Sequence, residues 1–365
     1  MLQSLFRTTF AALLCTSTAG LVNAADQFTV RELPALPDKE GFAGAMGGVS
    51  GEHVLVIGGA NFPAGRPWEG GKKVWYDHVF ALPTASLHQP AASAQPWKLA
   101  GTVPCPIGYG VSVTFAGRVI CVGGSNAEEH RADVISLALV NGRLQIRKLP
   151  SLPAPRANHF GALVGSRLII GGGQQTATSA PAESDWLAMD LNRPDAGWQE
   201  LPPCPGVPRI LATAAAVNGR LCIAGGASLA ATSDNGTQRS YLLDAWQYDP
   251  QHSRWSALPE LATASVAAPS PAPVVHGNML LLGGDDGKQV GIAPDAHKGF
   301  PGQIRVLSHS SASGWMDGGS FPPAVVTATP ISTPHGWVIP SGEIRPGIRS
   351  PGVWLLQSAE QARNN

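Results

Sequence analysis

Charge is scarce in this chain. Asp, Glu, Lys and Arg make up 14% of its 365 residues, against roughly a quarter in an average domain. The 25 acidic and 25 basic groups cancel. A chain without a basic surplus lacks the electrostatic footprint of a nucleic-acid binder, so no nucleic acid is expected as partner. Cysteine is scarce as well. Of the five residues, Cys105, Cys121, Cys204 and Cys222 lie beyond the N-terminal segment, and none has the spacing of a zinc site. Cys121 and Cys222 fall in apolar runs and read as small buried thiols. Hairpins centred near Gly117 and Gly219 would leave Cys105 out of register with Cys121, and Cys204 with Cys222, so neither pair is expected to bridge. Long apolar runs are also missing beyond residue 24, which excludes a helical membrane span there.

The first 24 residues have the character of an export signal. Arg7 is their single charge, Phe10-Ala11-Ala12-Leu13-Leu14 opens an apolar run, and Val22-Asn23-Ala24 offers small residues for cleavage. The expected organisation is therefore a signal peptide over 1–24 and one domain over 25–365. That domain would be periplasmic or secreted.

Glycine and proline are plentiful, at 43 and 32 residues, yet 44% of the chain is apolar. Short strands joined by many turns give this balance. An apolar run ending in a glycine pair recurs: Val54–Gly59, Val119–Gly124, Leu168–Gly173, Leu221–Gly226 and Met279–Gly284, with a degenerate sixth copy at Trp337–Gly342. Each run follows a hairpin partner, as at Asn218-Gly219, a strong tight-turn signal. A variable loop and a third strand come next, for example Trp186-Leu187-Ala188-Met189. A fourth strand often carries Trp (Trp97, Trp198, Trp255, Trp315). Copies about 50 to 65 residues apart, each of four antiparallel strands, resemble the kelch class of β-propeller. The fold expected is all-β with six blades. The sixth copy runs out after three strands, and Phe28–Leu33 has the character of its missing outer strand. Pairing with Val353–Leu356 would close the ring.

Chemistry is expected on the loops that follow the glycine pairs. The first is long, 60–77, and mixes an amide, aromatics and lysines as carbohydrate sites do. The last is Gly342-Glu343-Ile344-Arg345-Pro346-Gly347-Ile348-Arg349, which sets one carboxylate and two guanidinium groups in seven residues. Ring closure would bring both to one mouth. Together with Gly41-Phe42-Ala43-Gly44, Gly58–Phe62 and Trp68–Trp75, this last loop resembles the bacterial N-acetylneuraminate epimerases, sialic acid mutarotases of the kelch class. In familiar members the Gly-Glu-x-Lys-Pro-Gly-x-Arg segment precedes Gly-Phe-Ala-Gly. Here the order is reversed, as in a cyclically permuted branch.

The resemblance implies an isomerase that needs no cofactor and takes a small sugar acid, with Glu343 and Arg349 catalytic. Arg345 stands where the family has Lys. Arg345, Asn61, Trp68, Lys72, Arg156 and Tyr109 are the further candidates for binding substrate, and no metal ligand is assigned. The chemistry suits these residue types: an Arg fork holds a carboxylate, and a Glu can take the proton of an anomeric hydroxyl. The alternative is a propeller that binds glycans or proteins without catalysis. An oxidase of the galactose oxidase type is a third possibility, but it would need a Tyr/Cys/His copper set that this sequence does not clearly supply. Asp285-Asp286-Gly287 reads as a turn.

Overall fold

A computed structural model describes residues 28–364 except 92, 234–235 and 309–313. The expected signal peptide and its cleavage site lie outside the described residues. Those described form six four-stranded antiparallel sheets arranged as the blades of a propeller.

Blade 1 holds strands Met46–Ser50, His53–Ile57, His78–Pro83 and Lys98–Thr102. Blade 2 holds Val111–Phe115, Arg118–Val122, Val134–Val140 and Arg143–Leu149. Blades 3, 4 and 5 repeat the plan from Phe160, Thr213 and Val274. Blade 6 is composite: Ile331–Thr333, Gly336–Pro340 and Val353–Ser358 come from the end of the chain, and Phe28–Leu33 supplies the outer strand. That strand pairs in register from Phe28 opposite Ser358 to Leu33 opposite Val353. Its Arg31 guanidinium also donates to the carbonyls of Leu87 and Gln89 in blade 1, across the seam.

Alternation along each strand explains where the core sits. In His53–Ile57, Val54 and Val56 pack toward blade 6, against Val338, Val353 and Leu355. Leu55 and Ile57 point the other way, against Val119, Cys121 and Leu137 of blade 2. The period of two thus feeds two different cores, which is why these strands are apolar at every position after the first, as in Val54–Ile57. Comparable clusters fill the remaining gaps between neighbouring blades.

The tryptophans of the fourth strands act as clamps. The indole N–H donates to a proline carbonyl at the end of the preceding blade: Trp97 to Pro34, Trp198 to Pro150, Trp255 to Pro202 and Trp315 to Pro259, at 2.8–3.0 Å. Each of these prolines follows a leucine that ends an outer strand, so the Leu-Pro repeats and the Trp repeats belong to one device.

The glycine pairs turn the chain toward the mouth of the channel. Gly58 and Gly59 have φ of +62° and +93°, and a Cβ on Gly58 would lie 2.1 Å from the Ile107 carbonyl oxygen. Blade 6 departs from the pair without departing from the geometry. Ser341 adopts φ +57°, and its hydroxyl accepts from the Phe42 N–H at 2.6 Å while lying within donating distance of the Ser350 carbonyl at 2.6 Å.

At the channel, six residues adopt left-handed backbone conformations: Gly44, Tyr109, Asn158, Leu211, Ala267 and Thr327, with φ between +54° and +66°. Each N–H donates to the carbonyl of its counterpart in the neighbouring blade at 2.7–2.9 Å, from Tyr109 to Gly44 and on around to Gly44, which donates to Thr327. The result is a closed circle of backbone hydrogen bonds.

The four cysteines among the described residues are free thiols. Cys121 lies opposite Ser112 and Cys222 opposite Ala215 across their hairpins, and burial pushes each thiol up to about 12. Neither expected non-bridge is contradicted.

Candidate active site

One position recurs at the mouth. The residue after each glycine pair is tied by an antiparallel bridge to the residue before the left-handed circle. These mouth residues are Ala60, Ser125, Gln174, Ala227, Asp285 and, in blade 6, Glu343. Each is thereby aimed from the rim of the channel. Glu343 is the carboxylate of this set in blade 6 and Asp285 the one in blade 5.

The channel opens there into a cavity of about 550 Å³, within the range of small-molecule sites. Glu343, Arg349, Lys73, Tyr109, Phe62, Trp75 and Asp285 are on its wall. Glu343 and Arg349 face each other across the short hairpin 343–349. One Glu343 oxygen accepts from the Gly347 N–H at 2.7 Å; the other lies 3.5 Å from Arg349 Nη2. The Arg349 side chain is 4% exposed, and its guanidinium lies 4.7 Å over the Phe62 ring. Its Nε and Nη1 have no hydrogen-bond partner among the described residues. Buried donors are rarely left unpaired; Glu343 is the carboxylate beside this cation.

Lys73 comes from the first loop. Its Nζ lies 4.0 Å over the Tyr109 ring and 4.6 Å over that of Trp75. Burial, and then the nearby Arg349 charge, lower it to about 8, opposed by Glu343. Tyr109 is driven well above the ordinary phenol range, first by burial and then by Glu343, so its hydroxyl stays protonated. The two loops meet across the seam: Gly347 packs against Pro67 and Trp68.

Of the expected site residues, the structure brings Glu343, Arg349 and Tyr109 to the cavity. Five others sit elsewhere. Lys72 is exposed while Lys73 turns inward, because side chains alternate into the strand Val74–Trp75: Lys73 and Trp75 share one side, Lys72 and Val74 the other. Asn61 is fully buried and fully engaged, donating to Asp38 and the Gly41 carbonyl and accepting from the Tyr76 hydroxyl. Trp68 is 41% exposed and backs the hairpin rather than lining the cavity. Arg345 is displaced from the Glu343 side by a register shift in the hairpin. Arg156 is buried in an ion pair with both Asp185 oxygens at 2.7–2.8 Å, as Arg209 is with Asp244. Lys73, Phe62 and Trp75 lie in the loop that the sequence singled out but were not among the expected site residues, and Asp285 was read only as part of a turn. For Asp285 a signal existed, since it follows its glycine pair as Glu343 follows Ser341-Gly342.

Comparison with known proteins decides the family. The family profile described as N-acetylneuraminate epimerase matches residues 17–146 and 149–290. The chain belongs to the N-acetylneuraminate epimerase family. Relatives bearing that name include one from Yersinia enterocolitica, 28% identical over 231 residues and 57% of each chain. One from Salmonella arizonae is 35% identical over 128 residues, 32% of this chain and 31% of the relative. The chain thus spans just over half the length, or less, of these curated epimerases. The family match ends at residue 290, short of the Glu343–Arg349 hairpin, so the hairpin's place in the site rests on the geometry above. A solved structure described as "Structure of YjhT" superposes with a TM-score of 0.62 at 14% identity, covering 89% of this chain and 95% of that one. That likeness bears on the fold alone. Among the described residues of this epimerase-family chain, no helix is long and apolar enough to cross a membrane.

Proposed function

We propose that this protein interconverts the α and β anomers of N-acetylneuraminate by acid–base opening and closing of the sugar ring. The observation that carries the reading is the buried, half-partnered Arg349 beside Glu343 on the cavity wall. A sugar whose anomeric carbon bears a carboxylate places an anion and an ionisable hydroxyl on one atom. That is the pair of groups which Arg349 and Glu343 complement.

The roles follow from the chemistry of each group. Arg349, a cation on the cavity wall, attracts the carboxylate. Glu343 takes the proton of the anomeric hydroxyl as the bond to the ring oxygen breaks. The Lys73 ammonium, lowered to about 8, gives a proton to the departing ring oxygen. The open ketone turns about its neighbouring carbon–carbon bond and presents its other face. The steps then run in reverse: the hydroxyl that was the ring oxygen gives its proton back to Lys73 as it attacks the ketone, and Glu343 gives the proton it took to the former ketone oxygen, so no atom is gained or lost.

The test follows the loss of the α anomer by proton NMR after its release by a retaining sialidase, net of the rate in buffer. Wild type should accelerate the loss. Glu343→Gln keeps an oxygen for the Gly347 N–H but removes the base, and should abolish acceleration with Tm nearly unchanged. A wild type that binds the sugar without accelerating the change would make the protein a glycan-binding propeller. A Glu343→Gln variant as fast as wild type would remove Glu343 from the mechanism.

A further inference from the structure

The mechanism uses one side of the cavity, in blades 6, 1 and 2. A second polar group lies on the wall between blades 4 and 5. Asp285 holds the blade 5 mouth position, tied by its bridge to Val266. One carboxylate oxygen accepts from the Gly287 N–H at 3.0 Å and the other from the Tyr241 hydroxyl at 2.6 Å. Tyr241 is itself fixed, because its ring packs under Gly287, where an added Cβ would lie 3.2 Å away. It ends the strand Thr237–Tyr241 of a two-stranded ribbon. Arg239, two residues earlier and so on the same side, also lines the cavity. Burial and Asp285 both raise Tyr241, which keeps its proton on the donating side of the bond.

A carboxylate offers about four acceptor positions. Gly287 and Tyr241 take two, and the carboxylate is on the cavity wall. An acceptor-only group there repels the acid end of a substrate and attracts hydroxyl donors. With the acid end on Arg349, what reaches Asp285 must be rich in hydroxyls. We propose that Asp285, positioned by Tyr241, is the specificity-determining residue that recognises the polyol tail of the sugar acid. The site thereby selects long-tailed acidic sugars over compact ones such as hexuronates. This rests on the anomer-interconverting reading above.

The experiment compares N-acetylneuraminate with its seven-carbon analogue, made by periodate cleavage and reduction of the tail, for wild type, Asp285→Ala and Tyr241→Phe. Both sugars keep the carboxylate, the anomeric centre and the acetamido group. The measurement is kcat/KM for loss of the α anomer, net of buffer. Wild type should prefer the full-length sugar. Asp285→Ala should lose about tenfold or more on it with no change on the short one, and Tyr241→Phe should move in the same direction by less. Equal losses on both sugars, or none on either, would overturn the assignment, the first by showing that Asp285 merely shapes the cavity or serves the acetamido group. A wild type that accelerates both sugars equally defeats the assignment alone. A wild type that accelerates neither defeats the anomer-interconverting reading and this one with it.

Discussion

Lys73 gives the most exacting test of the proton inventory, because its charge should change within the working pH range. With the group at about 8 in place of the ordinary 10.5, about 90% of it carries the acidic proton at pH 7 and about 10% at pH 9. An ordinary lysine would still be about 97% charged at pH 9. The wild-type kcat/KM should therefore fall by roughly tenfold between pH 7 and pH 9, with the midpoint near 8. Unfolding would not explain such a fall. A lysine lowered on folding gives a stability term that is fully present above pH 10.5 and lost as pH falls through about 8, since the unfolded chain binds more protons in that window. On this account Lys73 makes the fold more stable at pH 9 than at pH 7 while activity drops. Lys73→Arg keeps a cation that cannot titrate there, so its profile should be flat across this range. Lys73→Met should lose about a hundredfold or more and with it the alkaline limb. The assay is the NMR rate at each pH, less the buffer rate at that pH, with near-ultraviolet circular dichroism to follow the fold. A wild-type profile flat to pH 9.5, or a limb that survives in Lys73→Met, would refute the assignment of the acid.

Two further outcomes concern residues placed outside the cavity. Arg156→Ala should lower Tm by several degrees and leave kcat/KM of the folded enzyme intact at low temperature; breaking a buried pair costs about 3–5 kcal/mol, reduced here to about 2–3 because the Asp185 side chain is 38% exposed. Removing residues 28–33 should bare the edge of Val353–Ser358 and the Leu33 side of the core between blades 6 and 1, giving a chain that melts early and aggregates on size-exclusion chromatography; a monodisperse truncated chain with unchanged Tm would show that this strand does not close the ring.

The blades were legible in the sequence because the same local instructions recur: an apolar run in all six copies, and a glycine pair after it in five. Closure by Phe28–Leu33 was legible as a missing fourth strand. The shared place of Glu343 and Arg349 on the cavity wall was legible because one loop carries both. Site residues were not legible where a partner distant in sequence decides. Asn61 looks like a sugar ligand until Asp38 and Tyr76 take its amide, and Arg156 looks like a channel cation until its Nη2 is tied to Asp185 away from the cavity wall. Lys72 and Lys73 differ only in the phase of a two-residue strand, too short for alternation to be read from the sequence.

The circle of hydrogen bonds under the cavity has an electrostatic consequence. Peptide dipoles aligned head to tail in a helix add to a field along its axis. Here six N–H groups and six carbonyls, from twelve different peptide units, pair around a closed loop, and the dipole components that lie along that loop cancel. Each left-handed residue also has its N–H and its carbonyl taken by neighbours in the circle. The floor therefore presents a substrate with no spare backbone donor from these residues. The sign and direction of charge above it are left to the side chains on the rim. Replacing one mouth residue can change what the propeller attracts while the ring that carries it stays the same.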